Sequence, residues 1–459
     1  MTDPRKNWLV SDRFIPKTFI RPALRFTSIA AASGAVLIVA SIAAILWANL
    51  SMFGDSYERF WGTQFDLTFG PIHLEETLKE LVNDGLMAIF FFVVGLEIKR
   101  ELVVGELRDP RKAALPAMAA LGGMVLPALI FVAINTGDGE ALRGWGIPMA
   151  TDIAFSLGVL ALLGSRVPVG AKLFLLTLAI VDDIGAIAVI AIFYTEEISF
   201  GYLALGLGAL LIIAIAGQIN IRPYSFYIPM ALIAWFGLLE SGVHATIAGV
   251  AIGLLTPARP LYDGVEFDST ARRILDYYPA ESTEPRFYEL VEHEARLLSD
   301  VARESIAPLS RLEHSLQSWS SFLIIPLFAL ANAGVRLVGV DLAGAATSAV
   351  AVGVALGLVV GKTVGVSLFA WLAVVLGWGV LPSNTTWRHV VGSAMLAGIG
   401  FTVALFIAEL AYTDPGITDL AKIGIFIGSI VAGIAGYLFL RGAPQIEQET
   451  LVESARESV

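Results

Sequence analysis

Two adjacent carboxylates, Asp182 and Asp183, stand in the middle of the apolar run Leu173 to Tyr194. A bilayer-spanning helix, rising about 1.5 Å per residue, would hold them roughly 15 Å from either surface. Each charge buried there costs about 2.5–3.5 kcal/mol on insertion scales, so a pair at that depth implies a use. The buried ionisable set is taken to include Asp152, Lys362 and Asp84 as well. Neighbouring residues on a helix point about 100° apart, so Asp182 and Asp183 cannot both face one partner squarely. The natural division sends one carboxylate toward an internal cation, for which Lys362 is the candidate, and the other toward an open cavity. A carboxylate in a partly dry cavity has its ionised form penalised, and hard cations prefer oxygen ligands. Proton and metal ion then compete for the same oxygens. Competition for one site, combined with alternating exposure, produces antiport.

The elements that would position these groups follow from composition. The 459 residues are 56% hydrophobic and 15% charged, whereas soluble domains carry charge near 25%. This is an all-α polytopic membrane protein, and its 44 glycines suit closely packed transmembrane helices. The absence of cysteine excludes disulfides, thiolate metal sites and cysteine catalysis. A net charge of -11 gives no reason to expect a nucleic-acid partner.

Residues 1–26, with six basic side chains, read as a cytoplasmic amino-terminal segment. Residues 27–255 read as eight spans: Thr27–Leu50, Thr77–Leu96, Ala113–Asn135, Gly144–Leu163, Ala171–Tyr194, Tyr202–Gln218, Tyr224–Leu239 and Gly242–Leu255. Between the first two, the alternation around Phe65 to Gly70 predicts a short outer hairpin. Residues 256–316 form the one long polar segment, an extended cytoplasmic loop with helical character from Glu284 to Arg303. Residues 317–440 supply four further spans, Trp319–Leu337, Ala346–Leu376, Val390–Tyr412 and Ile417–Leu440, and 441–459 form an acidic cytoplasmic tail. Twelve spans put both termini on one side. Of 30 basic residues, 24 fall on the side so assigned to the cytoplasm; Arg59, Lys79, Arg143, Arg336 and Lys422 fall outside, and Lys362 lies within span 10.

Spans 4 and 11 carry helix-weakening residues near mid-membrane: Gly144, Gly146 and Pro148 before Thr151-Asp152, and Gly398 and Gly400 before Phe401-Thr402. Both are expected to be interrupted and to cross at mid-membrane. Spans 3–5 and 10–12 are offset by seven, and an odd offset reverses direction across the bilayer, so similar triplets would form an inverted repeat. At such a crossing Asp152 would serve the positive half-helix ends and Lys362 the negative ones.

Bland readings stand beside these. His244 reads as a packing residue, the cluster Glu97 to Glu101 as a membrane-surface anchor, and Glu284 to Arg303 as a solvated amphipathic helix. Two other activities use the same residue types. An intramembrane aspartyl protease needs two carboxylates from different helices facing each other, and a proton-coupled symporter would use the same buried acids.

The stretches Ala150 to Leu160, Leu178 to Ile187, Gly242 to Thr246, Pro326 to Gly334 and Gly361-Lys362 closely resemble the NhaA family of sodium/proton antiporters. That family is itself a known example of inverted repeats, so the repeat and the resemblance are not independent. The resemblance runs from about Phe26 to Leu440. It implies a dimer in the bacterial inner membrane that exports cytoplasmic Na⁺ or Li⁺ for a larger number of external protons, without a cofactor and without enzymatic activity. Asp183 then matches the principal cation and proton carboxylate, and Asp182 a neighbour able to pair with Lys362. Thr151 and Asp152 match the span 4 crossing residues, and Asp84 is assigned to a cytoplasmic funnel. Glu97, Arg100, Glu101, Glu313 and His314 resemble a cytoplasmic cluster linked to activation at alkaline pH. The departure is Thr256 to Ser310, longer than the family's usual connection.

Overall fold

The run around Asp182 and Asp183 is one continuous helix, Val169–Phe193, with both aspartates near its midpoint. The computed structural model describes residues 30–50, 53, 55–69, 72–195, 198–277, 285–337 and 341–443. The basic segment 1–26 and the tail from 444 onward lie outside them.

Among the described residues, seven helices are long and apolar enough to cross a membrane: Ala32–Asn49, Leu78–Val103, Pro110–Ile134, Val169–Phe193, Phe200–Gln218, Ala349–Val375 and Pro415–Arg441. Two bent pairs each make one broken span. Gly139–Met149 with Ile153–Leu162 turns by 44°, and Trp387–Ala397 with Phe401–Ala411 by 42°. The shorter apolar helices Tyr224–Leu239 and Thr246–Leu255, and the segment Ser320–Ile324 continued by Ile325–Asn332, bring the set to the twelve spans expected. The interrupted spans are spans 4 and 11. Each sits between two unbroken apolar helices, so spans 3–5 and 10–12 share one order of elements at the odd offset expected of an inverted repeat.

Local sequence explains where the helices begin. Asp109 and Asp414 each precede a proline, and each side chain accepts a backbone hydrogen bond from the first turn, from Arg111 N and Gly416 N respectively. Thr77 and Glu80 form a capping box at the start of span 2. Just before it, Gln64–Phe69 pairs antiparallel with Ile72–Thr77, the expected hairpin.

One feature had no signal in the hydropathy pattern. Spans 2, 9 and 10 contain π-helical segments, Leu81–Leu86, Ser320–Ile324 and Gly357–Gly361. A π-bulge inserts one residue into an otherwise α-helical ladder and rotates the remainder of the helix. The last of the three ends immediately before Lys362.

The chain divides into two compact units. The first holds residues up to Met87, Glu106–Glu196 and those from Ser320, and therefore both triplets of the repeat. Within it, spans 3 and 10 meet backbone to backbone: a Cβ on Gly122 would collide with the carbonyl oxygen of Gly365, and one on Gly365 with that of Gly122. Lys362 lies one turn before Gly365, so this contact sets how deeply its ammonium reaches. Gly365→Val is expected to lower thermal stability by about 1–3 kcal/mol through overpacking. Unfolding of the purified variant in detergent, measured beside the wild type, checks this.

The second unit comprises Ala88–Gly105 and Glu197–Trp319. It contains spans 6 to 8 and the polar segment, which is three helices: Gly264–Tyr277, Pro285–Glu304 and Pro308–Trp319. The middle one coincides with the helical stretch expected from Glu284 to Arg303. Arg272 pairs with Asp268 at 2.9 Å, and Arg296 with Glu292, at the i, i+4 spacing that supports exposed helices.

Candidate functional site

The break in span 4 brings Thr151 and Asp152 into the break of span 11. Asp152 is the N-cap of Ile153–Leu162, and its Oδ1 accepts from Phe155 N at 2.9 Å. Its Oδ2 accepts from Thr402 N at 3.1 Å and from Thr402 Oγ1 at 2.7 Å, at the start of Phe401–Ala411. One carboxylate therefore faces the positive amino ends of both second halves, where an anion is favoured. The opposite ends are met by donors. Asp152 N donates to Ile399 O at 2.6 Å, Thr151 Oγ1 to Ala397 O at 2.8 Å, and Ser156 Oγ to Leu396 O at 2.8 Å. These bonds satisfy backbone groups that an interrupted helix would otherwise leave bare in a low-dielectric interior.

Lys362 joins this crossing to span 5. Its ammonium donates to Thr151 Oγ1 at 3.0 Å and to Asp182 Oδ2 at 2.5 Å. Lys362, Asp182 and Thr151 are fully buried, Asp152 is 2% exposed and Asp183 is 4% exposed. The lysine reaches the negative end of span 11 through the hydroxyl of Thr151 rather than by touching a carbonyl. Of the two aspartates it is Asp182 that takes the ammonium, while Asp183 stays within its field. The site thus has a fixed, charge-paired side and a second carboxylate one residue on, turned by about 100°. No group of three or more His, Cys, Asp or Glu side chains converges among the described residues, so a cation at Asp183 would complete its coordination with hydroxyl, backbone or water oxygens.

Thr402 and Ser156 were not singled out by sequence, although both fall inside the glycine-rich and Thr-Asp motifs that mark the breaks. A hydroxyl gives no sign of its partner until the crossing is built. Another unforeseen contact is the reciprocal amide pair between Asn83 and Asn332, at 2.7 and 3.3 Å, beside the π-segment of span 2.

Asp84 lies in that π-segment, within the first third of Leu78–Val103, whereas Glu97, Arg100 and Glu101 occupy its last turns. Thirteen helical residues separate Asp84 from Glu97, about 20 Å of rise.

Within the second unit, Arg100 Nη1 meets Glu313 Oε1 at 2.5 Å, and Arg100 Nη2 lies 3.6 Å from Glu101 Oε1. Glu97 feels the charges of Glu313, Arg100 and Glu101, and His314 acts on Glu313. The five residues of the expected cluster are thus electrostatic neighbours. Burial pushes the Glu313 carboxyl above the ordinary glutamate range, with Arg100 opposing. A carboxyl whose folded pKa exceeds its unfolded value contributes stability below the unfolded value and loses it as pH rises through the folded one. Glu313→Gln should therefore flatten the fall in stability with rising pH. Thermal unfolding of both forms across a pH series measures it, and parallel curves would contradict it.

Residues 24–440 match the family model described as Na+/H+ antiporter 1. A protein described as Na(+)/H(+) antiporter NhaA from Oleidesulfovibrio alaskensis is 45% identical over 430 residues, covering 92% of this chain and 94% of that one. Another from Rhodopirellula baltica is 44% identical over 423 residues, covering 91% and 93%, and Na(+)/H(+) antiporter NhaA 1 from Klebsiella pneumoniae is 42% identical over 427 residues, covering 93% and 97%. A solved sodium proton antiporter from Methanocaldococcus jannaschii, 13% identical, gives a TM-score of 0.45 over 92% of this chain and 99% of that one, a likeness too low to carry an argument. With a family match over nearly its whole length and relatives above 40% identity, this multi-pass membrane protein belongs to the Na+/H+ antiporter 1 family.

Proposed function

We propose that the protein exports cytoplasmic Na⁺, or Li⁺, in exchange for external protons, by competition at Asp183 with alternating access. The observation that carries this reading is the Asp182–Lys362 ion pair, fully buried beside Asp183 where spans 4 and 11 are broken. A cation entering from the cytoplasm meets Asp183 only when that carboxylate is deprotonated; a proton arriving from outside displaces it. Asp152 caps two helix amino ends and holds the crossing in register, so it acts on the site by positioning Thr151.

One Na⁺ for one proton at Asp183 alone would be electroneutral. Electrogenic exchange needs a second titrating group, and the Asp182–Lys362 pair supplies one if it opens during the cycle. Glu97, Arg100, Glu101, Glu313 and His314 form the group proposed to activate transport at alkaline pH, with the Arg100–Glu313 pair at its centre. The setting is the bacterial inner membrane, as a homodimer with both termini cytoplasmic. The protease alternative has less support: Asp182 is engaged by Lys362 and Asp152 by two helix amino ends, which leaves neither of them to share a proton with an opposed carboxylate.

Everted vesicles holding an inward-acid pH gradient test the reading. Addition of Na⁺ or Li⁺ should collapse the gradient, more strongly as the medium is made alkaline. Absence of response to Na⁺, Li⁺ and K⁺ at every pH, with folded protein in the membrane, would overturn it.

A further inference from the structure

The second half of span 11 is anchored at both ends, and its outer anchor is a largely buried charge cluster that the ion site does not include. Glu409 lies in the last turn of Phe401–Ala411, with its side chain 14% exposed. Its Oε2 accepts from Lys79 Nζ at 2.7 Å, and its Oε1 stands 2.7 Å from Lys422 Nζ. Lys79 comes from the first turn of span 2, fixed by the Thr77–Glu80 capping box, and Lys422 from span 12. The Lys422 side chain is 5% exposed and that of Lys79 33%. Asp419, on span 12 one turn before Lys422, lies in the field of all three charges.

Two carboxylates and two ammonium groups are balanced at this end, and both ammonium groups approach the carboxyl terminus of a half-helix, where cations are favoured. Asp152 does the converse at the amino terminus, through Thr402. Thr402 and Glu409 are seven residues apart, two turns along one helix face and about 10 Å in rise. An eleven-residue helix is too short to hold its own register without such contacts. Tyr412, immediately after it, adds a third tie by donating to Ala141 O at 2.8 Å in the first part of span 4.

We propose that Glu409, held between Lys79 and Lys422, is a positioning residue for the ion site, fixing the outer end of this half-helix so that its amino terminus stays on Asp152. It acts through Thr402 and Asp152 and touches no transported ion. This rests on the antiport reading only for its transport consequence; the anchoring is separable.

Glu409→Gln alone would strand the buried Lys422 ammonium, so the paired variant Glu409→Gln/Lys422→Gln is made beside it, with Glu409→Asp as the conservative form. Hydrogen exchange on the full chain in lipid nanodiscs reads the anchor. In the paired variant, exchange over Phe401–Ala411 should quicken about tenfold while Val169–Phe193 is unchanged. In everted vesicles the apparent KM for Na⁺ should rise about fivefold with the maximal rate within about twofold, and Glu409→Asp should fall between wild type and paired variant. Unchanged exchange at Phe401–Ala411, equal quickening in every span, or quickened exchange with an unchanged KM would each overturn the proposal. A wild type that collapses no gradient would refute antiport instead, and the exchange measurement would still decide the anchor.

Discussion

Asp183→Asn is expected to abolish Na⁺- and Li⁺-driven collapse of a pH gradient in everted vesicles while leaving the protein folded and inserted. Asparagine keeps an oxygen of nearly the same size in the same place, so packing around a side chain that is 4% exposed changes little. What is lost is the charge and the ability to titrate. A unit charge facing a cation at 4 Å, at an effective dielectric near 20, is worth about 4 kcal/mol, roughly a thousandfold in affinity. The proton that should compete for the site also loses its acceptor. Both halves of the exchange therefore fail together. Asp183→Glu, which restores charge but shifts it by one methylene, should retain part of the activity with an altered Na⁺ requirement. Full exchange by Asp183→Asn would remove Asp183 from the mechanism and return Asp182 or Asp152 to first place.

The second large effect concerns Lys362. Its ammonium is completely buried and holds both Asp182 and Thr151, so Lys362→Met leaves a buried carboxylate without its partner and a crossing without one of its donors. Breaking such a pair from one side costs about 3–5 kcal/mol, whereas replacing both partners with neutral groups of similar volume is often close to neutral. Lys362→Met should thus lose several degrees of thermal stability in detergent, and Asp182→Asn/Lys362→Met should recover most of the loss. The pair of variants also bears on charge movement. With Asp182 and Lys362 both neutral and Asp152 engaged by the helix ends, Asp183 is the carboxylate left to exchange ions at the centre, and residual exchange should become one for one and insensitive to membrane potential. A double variant as unstable as the single one would mean that the pair is not what holds this part of span 10. Voltage-sensitive exchange by a stable double variant would place the second proton elsewhere.

Much of the architecture was legible in the chain because a bilayer imposes simple rules. Apolar runs must be helices of a certain length, basic residues sort the loops by side, and glycine and proline at mid-span weaken the helix. From these came the spans, the hairpin before span 2, the two interruptions and the inverted triplets. The isolated acids and Lys362 were also visible, since a charge in an apolar run stands out against its neighbours. The depth of Asp84 along its 26-residue helix is a matter to which hydropathy is blind.

By itself, then, the sequence determined the class of fold, the family and the residue types gathered at mid-membrane, because those follow from local composition and one-dimensional order. Only the tertiary structure decided who meets whom. That Lys362 takes Asp182, that Asp152 spans two helix amino ends through Phe155 and Thr402, and that Glu409 draws in Lys79 and Lys422 are contacts between residues up to 330 positions apart. The reason is geometric. Partner choice depends on helix rotation and approach, which here are set by the Gly122–Gly365 contact and by a π-bulge ending at Gly361, and neither leaves a mark in hydropathy.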